Sequence, residues 1–266
     1  MDPGGDRRGA TLTRPLARAN VSEVEGKYFD ARIRECGEFD PFSPAGWETI
    51  SRRFSEMVPL PSIPRLLDIG CGTGQSRQVY EPKTAGYVGI DLSLEALRLA
   101  RSKFPSAAWE LADACRLPFL DSVFDAVAFS SVLHHIPDFR PALSEALRVV
   151  RPGGFVFAFD PNLLHPAMAL FRWPKSPLYI SEGVSPNEAP LLPSVLHRAF
   201  VDCGLVEIRQ RCQSNIPYRE VAPRLINACL SLYNAADRMF EWIGLGRWFG
   251  TFVLTCGMKP ASAQSE

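Results

Sequence analysis

The feature that most constrains this 266-residue chain is a short apolar run that breaks into glycines. Arg65-Leu66-Leu67-Asp68-Ile69 is followed directly by Gly70-Cys71-Gly72-Thr73-Gly74. A strand that ends in such a turn and opens a helix brings backbone N–H groups close to a ligand. Parallel strands need long crossovers, usually helical, so the unit implies a sheet wound with helices.

The chain from 65 onward keeps that alternation. A short helix is expected near 74 to 80, then a second run, Gly86-Tyr87-Val88-Gly89-Ile90. Ser93 to Ser102 reads as a helix with Ser93 as N-cap. Further runs lie near Ala107 to Leu111 and at Phe124 to Phe129. Pro141 to Val150 is helical, with Leu143, Ala146, Leu147 and Val150 on one face, and Pro152-Gly153-Gly154 is the turn out of it. Phe155 to Phe159 is continuously apolar, as a central strand buried on both faces should be. Leu192 to Cys203 reads as a helix closed by Gly204, and Val206 to Arg211 and Thr251 to Met258 read as strands. The expectation is a Rossmann-like, doubly wound α/β fold. It has seven strands, mostly parallel, with an antiparallel last strand and a helical lid and insertion.

Four segments follow. Residues 1–20, rich in Gly, Pro and Arg, are expected to form a disordered leader. Residues 21–60 form a helical cap, in which Trp47, Ile50, Phe54 and Met57 make an apolar face behind Ser43-Pro44. Residues 61–160 form the ligand-binding core. Residues 161–266 hold the lid, the remaining strands and an insertion at about 215–249. In the insertion Val221, Leu225, Cys229, Leu232, Ala236, Phe240 and Ile243 form one stripe, with Leu230, Tyr233, Met239 and Trp242 off it.

Charge bears on the partner. Lys plus Arg and Asp plus Glu are both 29, so the basic excess of a nucleic-acid binder is absent and no nucleic-acid partner is expected. The 7 cysteines are scattered without a CxxC pair, which predicts free thiols in the cytoplasm and no metal site. Neither a secretory signal nor a membrane-spanning stretch is read.

The glycine turn departs from a dinucleotide cradle. The pattern G-x-G-x-x-G would need glycine at 75, where Gln75 stands; the glycine comes one residue early, at Gly74. Asp68 before the turn would repel a pyrophosphate and suit an ammonium group, such as that of S-adenosylmethionine (SAM). Asp91, 19 residues past Gly72, can accept both ribose hydroxyls of a nucleoside.

Taken as a set, Leu66 to Gly74, Gly89-Ile90-Asp91-Leu92-Ser93, Ala112-Asp113-Ala114, Phe124 to Val127, Ser130 to His135 and Arg148 to Gly154 resemble the motifs of class I SAM-dependent methyltransferases. The closest resemblance is to the type 11 branch, which includes quinone-pathway and natural-product enzymes. It implies SAM as cofactor and a site built from Asp68, Gly70, Cys71, Gly72, Thr73, Gly74, Asp91, Leu92, Asp113, Ala114 and Ser130. Asp113 and its neighbour would serve the adenine.

An oxygen or nitrogen acceptor must lose a proton, and a histidine of near-neutral pKa can take it. His134 and His135 follow the fourth strand at the sheet's ligand edge and are the catalytic candidates, His135 ahead of His134. The alternative is that they only shape the cofactor pocket. Asp160 and His165 are the candidate substrate residues, and Asp125 reads as a structural strand-start acid. The aromatic lid and insertion suit a small apolar or aromatic acceptor. Three rival readings stay open: a SAM-binding protein of the same fold without transfer, a lipid-directed enzyme resting on a membrane surface, and an NAD-dependent oxidoreductase. Asp68 and Gln75 disfavour the last. Oligomeric state is not legible.

Overall fold

The computed structural model describes residues 18–38, 40–220 and 224–261. Helices α1 (Arg18–Cys36) and α2 (Pro44–Met57) precede the sheet. Strand β1 (Ile63–Ile69), helix α3 (Arg77–Tyr80), β2 (Thr84–Asp91), α4 (Leu94–Lys103) and β3 (Ala108–Leu111) form one half. Strand β4 (Phe124–Ser130), α5 (Arg140–Val149), β5 (Val150–Pro161), α6 (Pro193–Asp202) and β6 (Val206–Gln213) form the other. Helices α7 (Leu230–Trp242) and α8 (Gly246–Phe249) lie between β6 and the last strand, β7 (Phe252–Met258).

The strands make one seven-stranded sheet in the order β3-β2-β1-β4-β5-β7-β6. Neighbours from β3 to β5 are parallel, and β7 runs antiparallel to both β5 and β6. The strand order reverses between β1 and β4, and ligands of such sheets bind at that reversal, beyond the strand C-termini.

Two apolar cores sandwich the sheet, and the alternation of side chains along each strand sorts residues between them. In β4, Val127 and Phe129 face the core covered by α5 and α6, while Ala126 and Ala128 face the one covered by α2. In β5, Val156 and Ala158 go to the first, and Phe155, Phe157 and Phe159 to the second. The alanines of β4 leave room for the phenylalanines of β5, so the continuous apolar run is a strand buried on both faces.

Local signals account for the helix ends. Ser43 caps α2, its Oγ accepting from Gly46 N at 3.3 Å, with Pro44 in the first turn. Trp47, Ile50, Phe54 and Met57 are all buried. Ser93 caps α4, its Oγ accepting from Ala96 N at 3.1 Å. Asp125 accepts from Arg65 N at 2.8 Å and so ties β4 to the start of β1.

Some boundaries differ from expectation. The leader over 1–20 falls outside the described residues except for its end, where α1 already begins at Arg18. The helix read as reaching Val150 stops at Val149, and Pro152-Gly153-Gly154 belongs to β5 rather than to a turn. Gly153 N donates to Lys259 O, and a Cβ on Gly154 would lie 2.6 Å from Asp125 O. The glycines let the strand pass its neighbours there, with a register shift between Phe124 and Ala126. Within the insertion stripe, Val221 lies outside the described residues, while Leu232 and Ile243 are exposed.

Candidate functional site

The C-terminal ends of the parallel strands converge on a cavity of about 870 Å³. Its floor is the glycine turn. Gly70 and Cys71 donate their N–H groups to Ile90 O at 2.9 and 3.1 Å, and Gly72 N donates to Asp91 Oδ2 at 2.8 Å. Gly70, Gly72 and Gly74 have φ of +73°, +52° and +85°, a region that disfavours side chains. The three glycines have different surroundings. A Cβ on Gly72 would meet nothing within 4 Å, at the cavity wall, whereas one on Gly74 would strike Trp109 at 2.8 Å and Phe104 at 2.9 Å. Gly70, Cys71, Gly72 and Thr73 line the cavity; Gly74 instead packs behind the turn.

Asp91 stands at the wall with each carboxylate oxygen holding one backbone N–H: Gly72 on Oδ2 and Ser93, at 2.8 Å, on Oδ1. A carboxylate has about four lone-pair sites, so room remains for two hydroxyl donors. Burial raises its pKa, against the lowering effect of those N–H bonds. Leu92, Asp113, Ala114 and Ser130 also line the cavity. Asp113 accepts from Cys115 N at 2.8 Å and from Ser22 Oγ of α1 at 2.6 Å.

Asp68 does not reach the cavity. It is wholly buried and accepts from Ser76 Oγ and Tyr87 Oη, each at 2.6 Å, and from Ser130 Oγ. Burial pushes its pKa up to about 6, against the lowering effect of the hydroxyls. Its carboxylate is held by these three hydroxyls beside the turn, and it is not among the residues that line the cavity, where the expected ammonium contact would be made. The acids at the wall itself are Glu25, Asp40, Asp91, Asp113, Glu188 and Glu220, against the cations Arg32 and Arg172. That balance suits the cationic sulfonium and ammonium of SAM and opposes a pyrophosphate. With the open space over Gly72 and the free lone pairs of Asp91, the residues present fit SAM.

The histidines occupy a turn of 3₁₀ helix, Leu133–His135, just past β4. Both line the cavity, and their rings lie 4.0 Å apart between centroids. His134 Nδ1 is 2.8 Å from Asp160 Oδ1, which also accepts from the His134 backbone N–H at 3.1 Å. Burial and the neighbouring His135 lower the His134 pKa, and Asp160 opposes them. His135 differs: burial pushes its pKa down, but the attraction of the Glu25 carboxylate and the charges of Glu188 and Asp160 outweigh it, and the net shift is upward. His135 Nδ1 is 2.8 Å from Ser185 Oγ and 3.5 Å from Glu25 Oε2.

Asp160 and His165 lie off the cavity wall. Asp160 is wholly buried behind His134. His165 is buried 3.7 Å from Asp237 and sits against the rings of Tyr233 and Phe240, where it joins the lid to α7. Neither of these two candidate substrate residues is among those that line the cavity.

Helix α1 closes the cavity, and sequence reasoning assigned it no site residue. Val21, Ser22, Glu25, Tyr28, Phe29, Arg32 and Ile33 line the cavity at helical spacing. That face mixes polar, charged and apolar groups, so no apolar stripe announces it. Glu25 Oε1 accepts from Asn187 N and Nδ2 at 3.0 and 2.8 Å, pinning α1 to the lid. The far wall is apolar: Phe159, Met168, Phe171, Ile180, Tyr218, Tyr233 and Phe252.

Residues 67–158 match the methyltransferase domain family. A demethylmenaquinone methyltransferase of Streptomyces avermitilis is 36% identical over 161 residues, covering 60% of this chain and 69% of that protein. One from Renibacterium salmoninarum is 36% identical over 108 residues, 41% of this chain but only 45% of that protein. The chain thus spans about half the length of some of the relatives it matches. Phosphoethanolamine N-methyltransferase 2 of Haemonchus contortus, solved with S-adenosyl-L-methionine, shares the fold with a TM-score of 0.60 at 18% identity. The match covers 89% of this chain and 57% of that one.

Proposed function

Because this chain belongs to the type 11 branch of the class I SAM-dependent methyltransferases, we propose that it methylates a small apolar or aromatic acceptor, with His134 as general base. The observation that carries this reading is the continuity of the cavity. One wall is the glycine turn with Asp91 and Asp113, another holds His134, α1 adds a mixed polar and apolar face, and the far wall is largely aromatic. The volume, about 870 Å³, is near the upper end of the roughly 300–1,000 Å³ of small-molecule sites.

When bound, SAM supplies a methyl group already activated on a sulfonium. The protein's work is to align the partners, exclude water and accept a proton. Asp91 would hold the ribose, Asp113 and Ala114 the adenine, and the Gly70–Gly72 backbone the methionine end. Alignment of two bound reactants can lower a barrier by about 7–11 kcal/mol.

His134 is favoured over His135 as the base, reversing the order read from sequence. A base must be neutral before it acts, and the lowered pKa keeps His134 neutral at pH 7. Its Nδ1–H donates to Asp160, which leaves Nε2 to take the proton that the acceptor loses. His135, with its raised pKa and its carboxylate neighbours, serves better to anchor α1 and the lid. Asp160 is a positioning residue that acts through His134.

A deep cavity under α1 suits a small molecule better than a nucleic acid, and the balanced charge agrees. No helix among the described residues is long and apolar enough to cross a membrane; the free cysteines favour the cytoplasm. The test is incubation with isotopically labelled SAM and cell extract, with labelled product identified by mass spectrometry. A labelled apolar or aromatic product is expected. Calorimetry showing NAD bound and SAM not bound would overturn the reading.

A further inference from the structure

Helix α7 runs from the cavity out to solvent. Leu230, Tyr233 and Ala236 line the cavity. The outward side carries Trp242, 86% exposed, with Met239 and Ile243, and α8 adds Trp248, 60% exposed, and Phe249. Leu232 and Phe171 line the cavity yet are 74% and 39% exposed, so they mark its mouth. Large apolar groups gathered around a cavity mouth mark an interaction surface.

The charges on this segment are sorted by sign. Asp237 is buried and accepts from Asn215 N at 2.7 Å and Thr251 Oγ1 at 2.8 Å. Glu241 is held by Arg53 at 3.0 Å. Arg238 and Arg247 are exposed, and the Arg247 guanidinium lies over the Trp248 ring, 5.8 Å from its centroid. With Asp237 buried and Glu241 paired with Arg53, Arg238 and Arg247 are the exposed charges beside the indoles of Trp242 and Trp248. Tryptophan is amphipathic and prefers the boundary between headgroups and acyl chains, and arginines there pair with anionic lipids.

We propose that the outward face of α7 and α8 docks this protein on an anionic lipid surface, with the cavity mouth at the contact. The proposal rests on the reading of the cavity as an apolar-acceptor site and names where that acceptor is met. An apolar acceptor is concentrated in the bilayer, and a mouth rimmed by Leu232 and Phe171 receives it without passage through water.

The test is flotation of the full chain with vesicles of phosphatidylcholine alone and of phosphatidylcholine with phosphatidylglycerol. The expected result is binding to the anionic vesicles, weakened by salt, with a blue shift of tryptophan emission. Arg238→Glu with Arg247→Glu should lose at least about fivefold per arginine. Trp242→Ser with Trp248→Ser should lose roughly tenfold or more. All four positions lie off the cavity wall, so both variants should melt like the wild type and bind SAM as tightly. Absence of vesicle binding by the wild type, or wild-type binding by both variants, overturns the docking. So does a dimer in sedimentation velocity that the tryptophan variant abolishes, since the occupant is then a second copy. Loss of SAM binding by the wild type would instead fail the methyltransferase reading, which keeps the two separable.

Discussion

His134 Nδ1 lies 2.8 Å from Oδ1 of Asp160, a carboxylate with no exposed surface of its own. The strand pairing of β4 with β5 brings the two together across 26 residues of sequence. Asp160 also accepts the His134 backbone N–H, so ring and backbone are held by one oxygen.

That pair predicts a pH profile. His134→Ala should lower kcat by about 10²–10⁴-fold, the usual contribution of a general base. In the wild type, activity should be full at neutral pH and fall as pH drops through a His134 pKa below 6.5. Asp160 raises that pKa, so Asp160→Asn should move the acid limb to still lower pH while SAM affinity stays constant. A limb unmoved in the variant would remove Asp160 from the site.

Two neighbouring glycines should behave differently. Gly72→Ala puts a methyl group at the open cavity wall, so SAM affinity should fall while stability drops by only about 1 kcal/mol for the positive φ. Gly74→Ala adds a clash with Trp109 to the same φ strain, and its stability loss should exceed about 2 kcal/mol. Calorimetric titration with SAM and urea denaturation of both variants check the contrast.

Asp91→Ala should weaken SAM binding by about tenfold or more, since each hydrogen bond to a charged group is worth about 1.5–3 kcal/mol. Affinity equal to the wild type in calorimetry would place the ribose elsewhere.

Glu25 and His135 are coupled across α1. Glu25→Gln removes the carboxylate charge that helps to raise the His135 pKa, so that pKa should fall. Titration of the imidazole protons by NMR reads this directly, and an unchanged His135 curve would refute the coupling.

Asp68 links pH to stability. Its folded pKa, about 6, exceeds the ordinary 3.8, so the folded state keeps a proton that the unfolded state has released. The stabilisation is fully present below pH 3.8, is lost as pH rises through about 6, and is flat above. The whole change is about 3 kcal/mol, at 1.36 kcal/mol per unit. In Asp68→Asn that slope should be missing. Urea midpoints of both proteins between pH 4 and 7 measure the difference, and parallel curves would rule the effect out.

Much of the fold was legible from local chemistry. The glycine turn, Ser43 and Ser93 as caps, and the run Phe155 to Phe159 each announce an element through their own backbone preferences or periodicity. The positions of Gly70 to Gly72, Asp91 and Asp113 at strand ends follow from that order, because every parallel strand delivers its C-terminus to the same edge. The setting of Asp68 was not legible, because period-2 alternation says which face a side chain takes but not that hydroxyls of Ser76, Tyr87 and Ser130 surround it.

The sequence by itself determined the doubly wound sheet and the edge where its ligand lies, because strand, turn and cap signals are local. Tertiary structure alone decided which histidine is braced, that α1 supplies Glu25, and that α7 turns Trp242 outward. The first two join groups 26 and 110 residues apart, and the third is a matter of which side of a helix is covered; packing sets all three rather than anything a neighbour in the chain can signal.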